Sequence, residues 1–595
     1  MKLKKFIRSP QEIGFRLRQE AMNYVLATRP PGGKFSASSP LAGLPDPGLV
    51  IERLRGSDFA RQVETIADEV MAHRFPLLGF KVETGPEIAW RRDYQRGIET
   101  GKDYFRRIPY LDVSQVGDHK VIWELNRHQH FVVLAQAYRF TGRQKYLDQI
   151  RAQWESWVRE NPFQHGINWC SALEVAFRAL SWIWTYHLIG GDERFLVELA
   201  RHGWHLEYNL SYYFSPNTHL LGEAVALHAL GVLFPAFPRA ERWRELGHQV
   251  VTRELERQVL ADGAHFEQST YYHVYALDFF LLHYLLAGRP ASYVPVLQKM
   301  AEYLDAILGP ARSIPLIGDD DGGRLFHPYG VHTEYGRATM SVAGLLLDRP
   351  DWVGPDDTLA AWWLGATPQP VTPRQPPATR LFSESGTVVF ERGDRFIVFN
   401  AGGFGPYQAG HSHSDSLSIF VRQGGEELLI DPGTFEYVGE ERNRFRGSAA
   451  HNTLRIDGLD QADPAGSFGW LGRPEVEIVR HSHDEIEAVC HYRGFTHRRQ
   501  LVYGDDELRI IDEIDGPTGA HQVEQFWHAG EAIERLDPVS FRIGSRSVLI
   551  LGEGSEITTE TGWRSTAYGR KEPAAIVTVR RQGSLPLRMM ATLRF

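Results

Sequence analysis

Cysteine is almost missing from this chain. Only Cys170 and Cys490 occur in 595 residues, far apart, which excludes a disulfide framework and a thiolate zinc pattern. Long apolar runs are missing too. The longest, Phe279–Leu286, contains His283 and falls far short of the roughly 20 residues a membrane helix needs. There is no surplus of positive charge: 65 basic residues face 74 acidic ones, for a net charge of −9. That excludes a bulk electrostatic fit to nucleic acid and leaves room only for a local basic cleft. The first residues, MKLKKFIRSPQEIGFRLRQEAMNYVL, are basic and amphipathic but lack the continuous apolar segment and small-residue cleavage site of a secretory signal. The expectation is a surface helix and a cytoplasmic chain by default, with periplasm or exterior as alternatives.

A chain of this length exceeds one ordinary core, so two or three domains are expected. Residues 1–54 form an amphipathic and extended N-terminal segment. From about 55 to 366 the sequence is helix after helix, as in Asn126–Thr141, Leu173–Leu188, His219–Leu233 and Tyr272–Leu286, each with apolar residues at three- and four-residue spacing. The stretch AQAYRFTGRQKYLDQIRAQWESWV is helix, glycine turn, helix, and this hairpin rhythm suggests an α/α toroid or solenoid. Residues 367–380, TPQPVTPRQPPATR, carry five prolines in fourteen positions and predict an extended connector. From 381 to 595 about ten short, β-branched, turn-bounded segments predict an antiparallel sandwich. Fifteen tryptophans and twenty-three tyrosines suit a large core better than sugar-stacking surfaces for most of their number.

Five segments carry chemistry. In SPNTHLLGEAVAL, Ser215 and Pro216 predict a helix start, with Asn217 and His219 in a first turn that favours a bound carboxylate. The alternative is that Asn217 merely caps and His219 packs. In DGAHFEQSTYYHVYALDFFLL, Ser269 caps a helix whose first turn holds Tyr271, Tyr272 and His273. A phenol there can act as acid or base once positive charge lowers its pKa. In LIGDDDGGRLF the aspartates are expected to bond backbone and Arg324 near a cleft rim. In WELNRHQHFVVLA, Asn126, Arg127 and His128 sit at a helix start. The Arg127 fork suits an acidic sugar, with an internal ion pair to Glu124 or a capping role as the alternative. Between 411 and 453, His411, His413, Asp431 and His451 surround a strand and its turns, a ligand set for a borderline metal or a setting for a catalytic histidine.

Taken together, NxH and EQSxxYH in the helical half, then GDxDG, GHxHxD, LxIDPG and AHNT, resemble the heparinase II/III family of polysaccharide lyases from about Trp123 to the end. The resemblance implies an incomplete (α/α) toroid followed by an antiparallel β-sandwich, with the cleft between them and β-elimination on an acidic, uronic-acid polysaccharide. It implies that Asn217 neutralises the substrate carboxylate and that Tyr272 and His411 are catalytic; His219 is a candidate to assist on the chemistry of its own position. It further implies that His413, Asp431 and His451 hold a structural ion. Zinc is the choice there, with manganese or calcium open; nitrogen ligands disfavour calcium. Asn126, Arg127, His128, Glu267, Gln268 and Arg324 are the candidates for substrate contact. NTH stands where the family often has NNH.

Such residues suffice for the chemistry. Removing a uronate C5 proton requires shielding the adjacent carboxylate, a base, and an acid for the departing O4, but neither water nor a redox cofactor. Tyr272 is the choice for acid, and for base too when both groups lie on one face of the sugar. His411 or His219 is the alternative base. The competing expectations are a zinc hydrolase using the same histidines and Asp431, and a noncatalytic glycan-binding protein.

Overall fold

A computed structural model describes residues 8–325, 335–354, 362, 364–365 and 379–595. The proline-rich connector lies outside the described residues except for Thr379 and Arg380, which open a strand. No helix among the described residues is long and apolar enough to cross a membrane.

The N-terminal half is an arc of helical hairpins. After α1 (Pro10–Thr28) and α2 (Asp58–Met71) come α3 (His119–Asn126), α4 (Gln129–Thr141), α5 (Gln144–Glu160), α6 (Ala172–Ile189), α7 (Glu193–Asn209), α8 (Thr218–Leu233), α9 (Ala240–Gln258), α10 (Thr270–Leu286), α11 (Val294–Leu308) and α12 (Tyr335–Leu346). Helices α2, α4, α6, α8, α10 and α12 touch in succession, while α5, α7, α9 and α11 each lean on the helix before them. Burial follows this order. Helices α6, α8 and α10 are buried on nearly every side, as helices apolar all round must be. Helices α7 and α9 bury one face only. The arrangement is an incomplete (α/α) toroid with its most apolar helices inside.

The expected helix Asn126–Thr141 is two helices. His128 adopts a left-handed conformation, φ 55°, and turns the chain between α3 and α4. The smooth apolar spacing across 126–141 concealed this single reversal, which histidine tolerates better than a branched residue does.

The C-terminal half is a sandwich of two antiparallel sheets sharing one apolar core. One sheet runs in spatial order Glu556–Ala567, Arg570–Ser584, Ala520–Ala529, Glu426–Leu429, Ser418–Gln423, Arg395–Asn400, Thr387–Arg392, Thr379–Phe382. The other contains Glu475–His481, Glu485–Tyr492, Phe495–Tyr503, Glu507–Asp515 and Leu587–Arg594. Strands 387–392, 395–400 and 418–423 are buried along almost their whole length because both of their faces are covered. Val388, Phe390, Ile397 and Phe399 point into the sandwich, whereas Val389, Phe396, Val398 and Phe420 join the helical core. Period-two alternation thus fuses the halves: one set of strands serves two cores. Strand Ala520–Ala529, with buried Gln525 and His528, carries too many polar residues to announce itself in the sequence.

Candidate active site

A groove of about 1190 Å³ opens along the seam between the halves. Helix α8 enters it with Asn217 as the cap, Oδ1 accepting the His219 N–H at 3.1 Å. The start expected at Ser215 and Pro216 is therefore two residues late, and only His219 lies in the first turn. Asn217 Nδ2 donates to Glu267 Oε1 at 2.5 Å. The other Glu267 oxygen accepts from the Thr218 N–H at 3.3 Å and from its hydroxyl. Glu267 thereby occupies the anion position at a helix N-terminus. His411 Nε2 lies 3.6 Å from Glu267 Oε1.

Helix α10 is capped as expected: Ser269 Oγ accepts the Tyr272 N–H at 3.2 Å and donates to the Asp319 carbonyl at 2.6 Å. Tyr272, in the first turn, shares a 2.9 Å hydrogen bond with the Tyr437 hydroxyl. Its ring stacks on His411 with centroids 3.9 Å apart and planes at 21°. The phenol titrates well above its ordinary range, because burial and the negative Asp321 oppose ionisation more than Tyr437 assists it. The sequence-based expectation of a lowered phenol pKa is corrected here: negative charge surrounds the ring. His219, half-buried on the groove wall, is lowered to about 4, by burial first and by neighbouring His411 second.

The GDDDGG segment is the hinge of the site. Gly318 has φ 73°, and a Cβ there would come within 2.9 Å of the Gln268 carbonyl and 3.0 Å of the His411 carbonyl. Only glycine lets the two halves approach so closely. Asp319 then donates its N–H to the His411 carbonyl at 2.9 Å. Its carboxylate faces His411 Nδ1 and His413 Nε2, each at 3.0 Å, and accepts from both Arg442 nitrogens. Burial opposes this charge, but Arg442 and the two histidines hold Asp319 well below the usual carboxylate range. With Nδ1 tied to Asp319, His411 presents Nε2 toward Glu267. Burial alone would lower its pKa; Glu267 and Asp319 outweigh that and raise it.

His413, Asp431 and His451 are fully enclosed, and their ligand atoms lie within 4.8 Å of one another. His451 Nδ1 is 2.9 Å from Asp431 Oδ2, while His413 Nδ1 and His451 Nε2 are buried without a hydrogen-bond partner among the described residues. Two orphaned imidazole nitrogens beside a carboxylate fit a divalent cation. His411 and His413 lie in the turns before strand 418–423 rather than on a strand, and they converge by gripping one carboxylate.

The expected substrate contacts fare differently. Glu267 lines the groove, but its oxygens are engaged by Asn217 and Thr218. Gln268 adopts φ 56° beside Gly318 and is absent from the groove wall. Asn126, Arg127 and His128 are buried structural residues, a correction to their reading as sugar contacts. Asn126 donates to the Trp90 and Ile122 carbonyls and accepts from Trp157. Arg127 forms a fork on Glu174 at 2.7 and 2.8 Å and reaches Glu124 at 3.1 Å. His128 Nδ1 accepts from Trp182 at 2.9 Å. Arg324 is buried over the Tyr335 ring rather than placed at the rim. Several wall residues escaped the sequence reading. Lys120 and Trp123 line the groove, as do Tyr437, Phe468 and residues Phe15 and Arg16 of α1. Nothing in their local spacing distinguishes them. Asp319, expected to bond backbone and Arg324, is the first aspartate of GDxDG.

Residues 52–325 match the family described as Heparinase II/III N-terminus, and residues 374–588 match Heparinase II/III-like, C-terminal. A heparin-sulfate lyase of Bacteroides stercoris is 24% identical over 575 residues, covering 87% of this chain and 79% of the relative. That of Pedobacter heparinus is 26% identical over 492 residues, covering 77% and 67%. Among solved structures, a heparinase III superimposes with TM-score 0.69 at 19% identity over 99% of this chain and 92% of that one. A Streptomyces coelicolor chondroitin AC lyase does so with TM-score 0.58 at 11% identity, over 98% and 82%. The chain belongs to the heparinase II/III family and is an enzyme of the polysaccharide lyase class.

Proposed function

We propose that this enzyme cleaves a uronic-acid glycosaminoglycan by β-elimination, leaving a 4,5-unsaturated uronide. The observation that carries the reading is the meeting of Tyr272 and His411, from opposite halves of the molecule, in a 3.9 Å stack on the wall of one groove. The relatives that act on heparin-sulfate supply the substrate class.

In this reading the second N–H of the Asn217 amide, the first being given to Glu267, and His411 Nε2 address the uronate carboxylate and shield charge as C5 loses its proton. His219, uncharged above about pH 4, takes that proton. The freed electron pair forms the C4–C5 double bond, the C4–O4 bond breaks, and Tyr272, held protonated by its surroundings, donates to the departing O4. Base and acid are thus separated by opposed pKa shifts. His413, Asp431 and His451 would hold a zinc ion, whose chemistry there is structural: it fixes the loop that presents His411. A metal hydrolase would need that trio at the substrate, yet none of the three lines the groove.

The test is to incubate the enzyme with heparan sulfate, chondroitin sulfate, hyaluronan, alginate and glucuronan and follow ultraviolet absorbance of the new double bond. Absorbance with a glycosaminoglycan is expected. Chain shortening without absorbance would replace elimination by hydrolysis. Loss of absorbance in Tyr272→Phe together with full retention in His219→Ala would transfer both proton steps to the phenol.

A further inference from the structure

A second cluster of nitrogen ligands lies elsewhere, among α8, α9 and α10. His228, His248 and His283 each offer one ring nitrogen, and the three nitrogens lie within 4.8 Å of one another. His228 and His283 are buried; His248 is half-exposed. Helix packing brings them together. A Cβ on Gly247 would lie 2.6 Å from the Ala224 carbonyl and from the His228 backbone nitrogen, so glycine lets α9 press directly on α8 beside His228. His283 faces both rings, with centroids 4.5 Å from His228 and 5.2 Å from His248.

Hydrogen bonding in the cluster is incomplete. His228 Nδ1 bonds the Arg244 carbonyl at 2.9 Å, which fixes its tautomer and leaves Nε2 bearing a lone pair. That Nε2 and His283 Nδ1 are buried without partners among the described residues. Two unsatisfied buried nitrogens are costly if the cluster is merely packed. His248 Nδ1 and His283 Nε2 share a 3.3 Å hydrogen bond, whose proton a cation held between them would replace. Two nitrogens bound tetrahedrally at about 2.0–2.1 Å from a zinc ion stand about 3.3–3.4 Å apart. A ring nitrogen bonded to a backbone carbonyl, as in His228, is also the usual outer support of a metal-binding histidine.

We propose that His228, His248 and His283 form a three-imidazole site for a borderline divalent cation, with zinc the best chemical match. An all-nitrogen set excludes calcium and magnesium, which take oxygen ligands. Half-exposed His248 gives the cation access and leaves a fourth position for water. The site sits away from the groove but on its scaffold. His228 is eleven residues beyond Asn217 along α8, and His283 eleven beyond Tyr272 along α10, each about 16 Å at helical rise. The cation would pin the far ends of the two helices whose near ends carry the proposed chemistry.

The test strips full-length protein of metal, adds Zn²⁺ alone, and measures bound zinc per chain by mass spectrometry after desalting, with the thermal midpoint alongside. His451→Ala removes the trio in the sheet half, so that of the two trios among the described residues the helical one remains. This variant should bind one zinc and melt higher with it than without. Adding His248→Ala, a change at a half-exposed position, should weaken that binding at least about 100-fold and abolish the thermal shift while the circular dichroism spectrum persists; loss of an outer support alone costs about 10–100-fold. His283→Gln provides a second removal should His248→Ala not fold. Zinc binding by His451→Ala that survives loss of His248 or His283, or no binding by His451→Ala at all, overturns the proposal. Because the readout is binding and melting, its outcome does not depend on the proposed reaction.

Discussion

Two short polar runs, Asn126–Arg127–His128 and His411–Ser412–His413, look alike in the sequence and have opposite fates. Arg127 is met by Glu174 and Glu124 and is sealed beneath the groove. His411 is also met by an internal carboxylate, Asp319, but on one nitrogen only; the other faces the groove wall. A charged side chain becomes available for chemistry when its internal partner leaves part of it uncommitted. That depends on carboxylates far away in the chain, such as Glu174 for Arg127 and Asp319 for His411.

The contrast predicts opposite phenotypes. Tyr272→Phe, at the stack with His411, should lower kcat by about 10³-fold or more, with KM and the thermal midpoint nearly unchanged, as expected for loss of a positioned proton donor. Turnover within tenfold of the parent would remove Tyr272 from the reaction. Arg127→Leu should do the reverse. It leaves Glu174 buried and unpaired, a loss of about 3–5 kcal/mol in unfolding free energy, while the fraction that stays folded keeps its kcat. A folded, stable but inactive Arg127→Leu protein would return that side chain to the substrate.

Much of the architecture was legible because helix and strand periods are repeated many times. The hairpin rhythm of α4 and α5 and the alternation of 495–503 are examples. The site was legible where chemistry forces unusual neighbours, as in the two histidines of GHSHSD and the tyrosine following an N-cap serine. It was illegible where function depends on distant partners. No local pattern tells that Asp319 orients His411, that Tyr437 meets the Tyr272 hydroxyl, or that Arg324 is buried on Tyr335. Nor does spacing tell Asn217 from Ser215 as the cap, since both are good capping residues and only the path of the preceding loop decides.

Buried charge that is neutralised, rather than paired, offers a gentler test. Glu223 accepts from the Ser211 N–H and hydroxyl, each at 2.7 Å, yet burial raises its pKa to about 8. Between its unfolded value near 4.5 and that raised value the unfolded chain loses the proton first, so stability falls as pH rises through this window. Glu223→Gln keeps the shape and cannot ionise. It should leave stability unchanged at pH 4 and raise it by about 1–3 kcal/mol at pH 7. Denaturant unfolding at the two pH values measures the difference, and equal effects at both would refute the assignment.

The smallest expected effect lies on the groove itself. If His219 is the base, kcat/KM should be half-maximal near its pKa of about 4 and fall about tenfold per unit below it, because only the uncharged ring accepts a proton. A pH–rate profile on the acid side, recorded where circular dichroism shows the protein folded, measures it. A His219→Ala profile keeping the same limb would assign that limb to another group.

Asp319 ties two histidines to one anion, His411 by one oxygen and His413 by the other. Their mutational effects are therefore epistatic. Losing either imidazole loosens the aspartate for its sibling, so single-variant losses must sum to more than the double variant shows. An enzyme engineer cannot retune the groove-facing ring while treating the enclosed one as fixed background; the two positions have to be redesigned together.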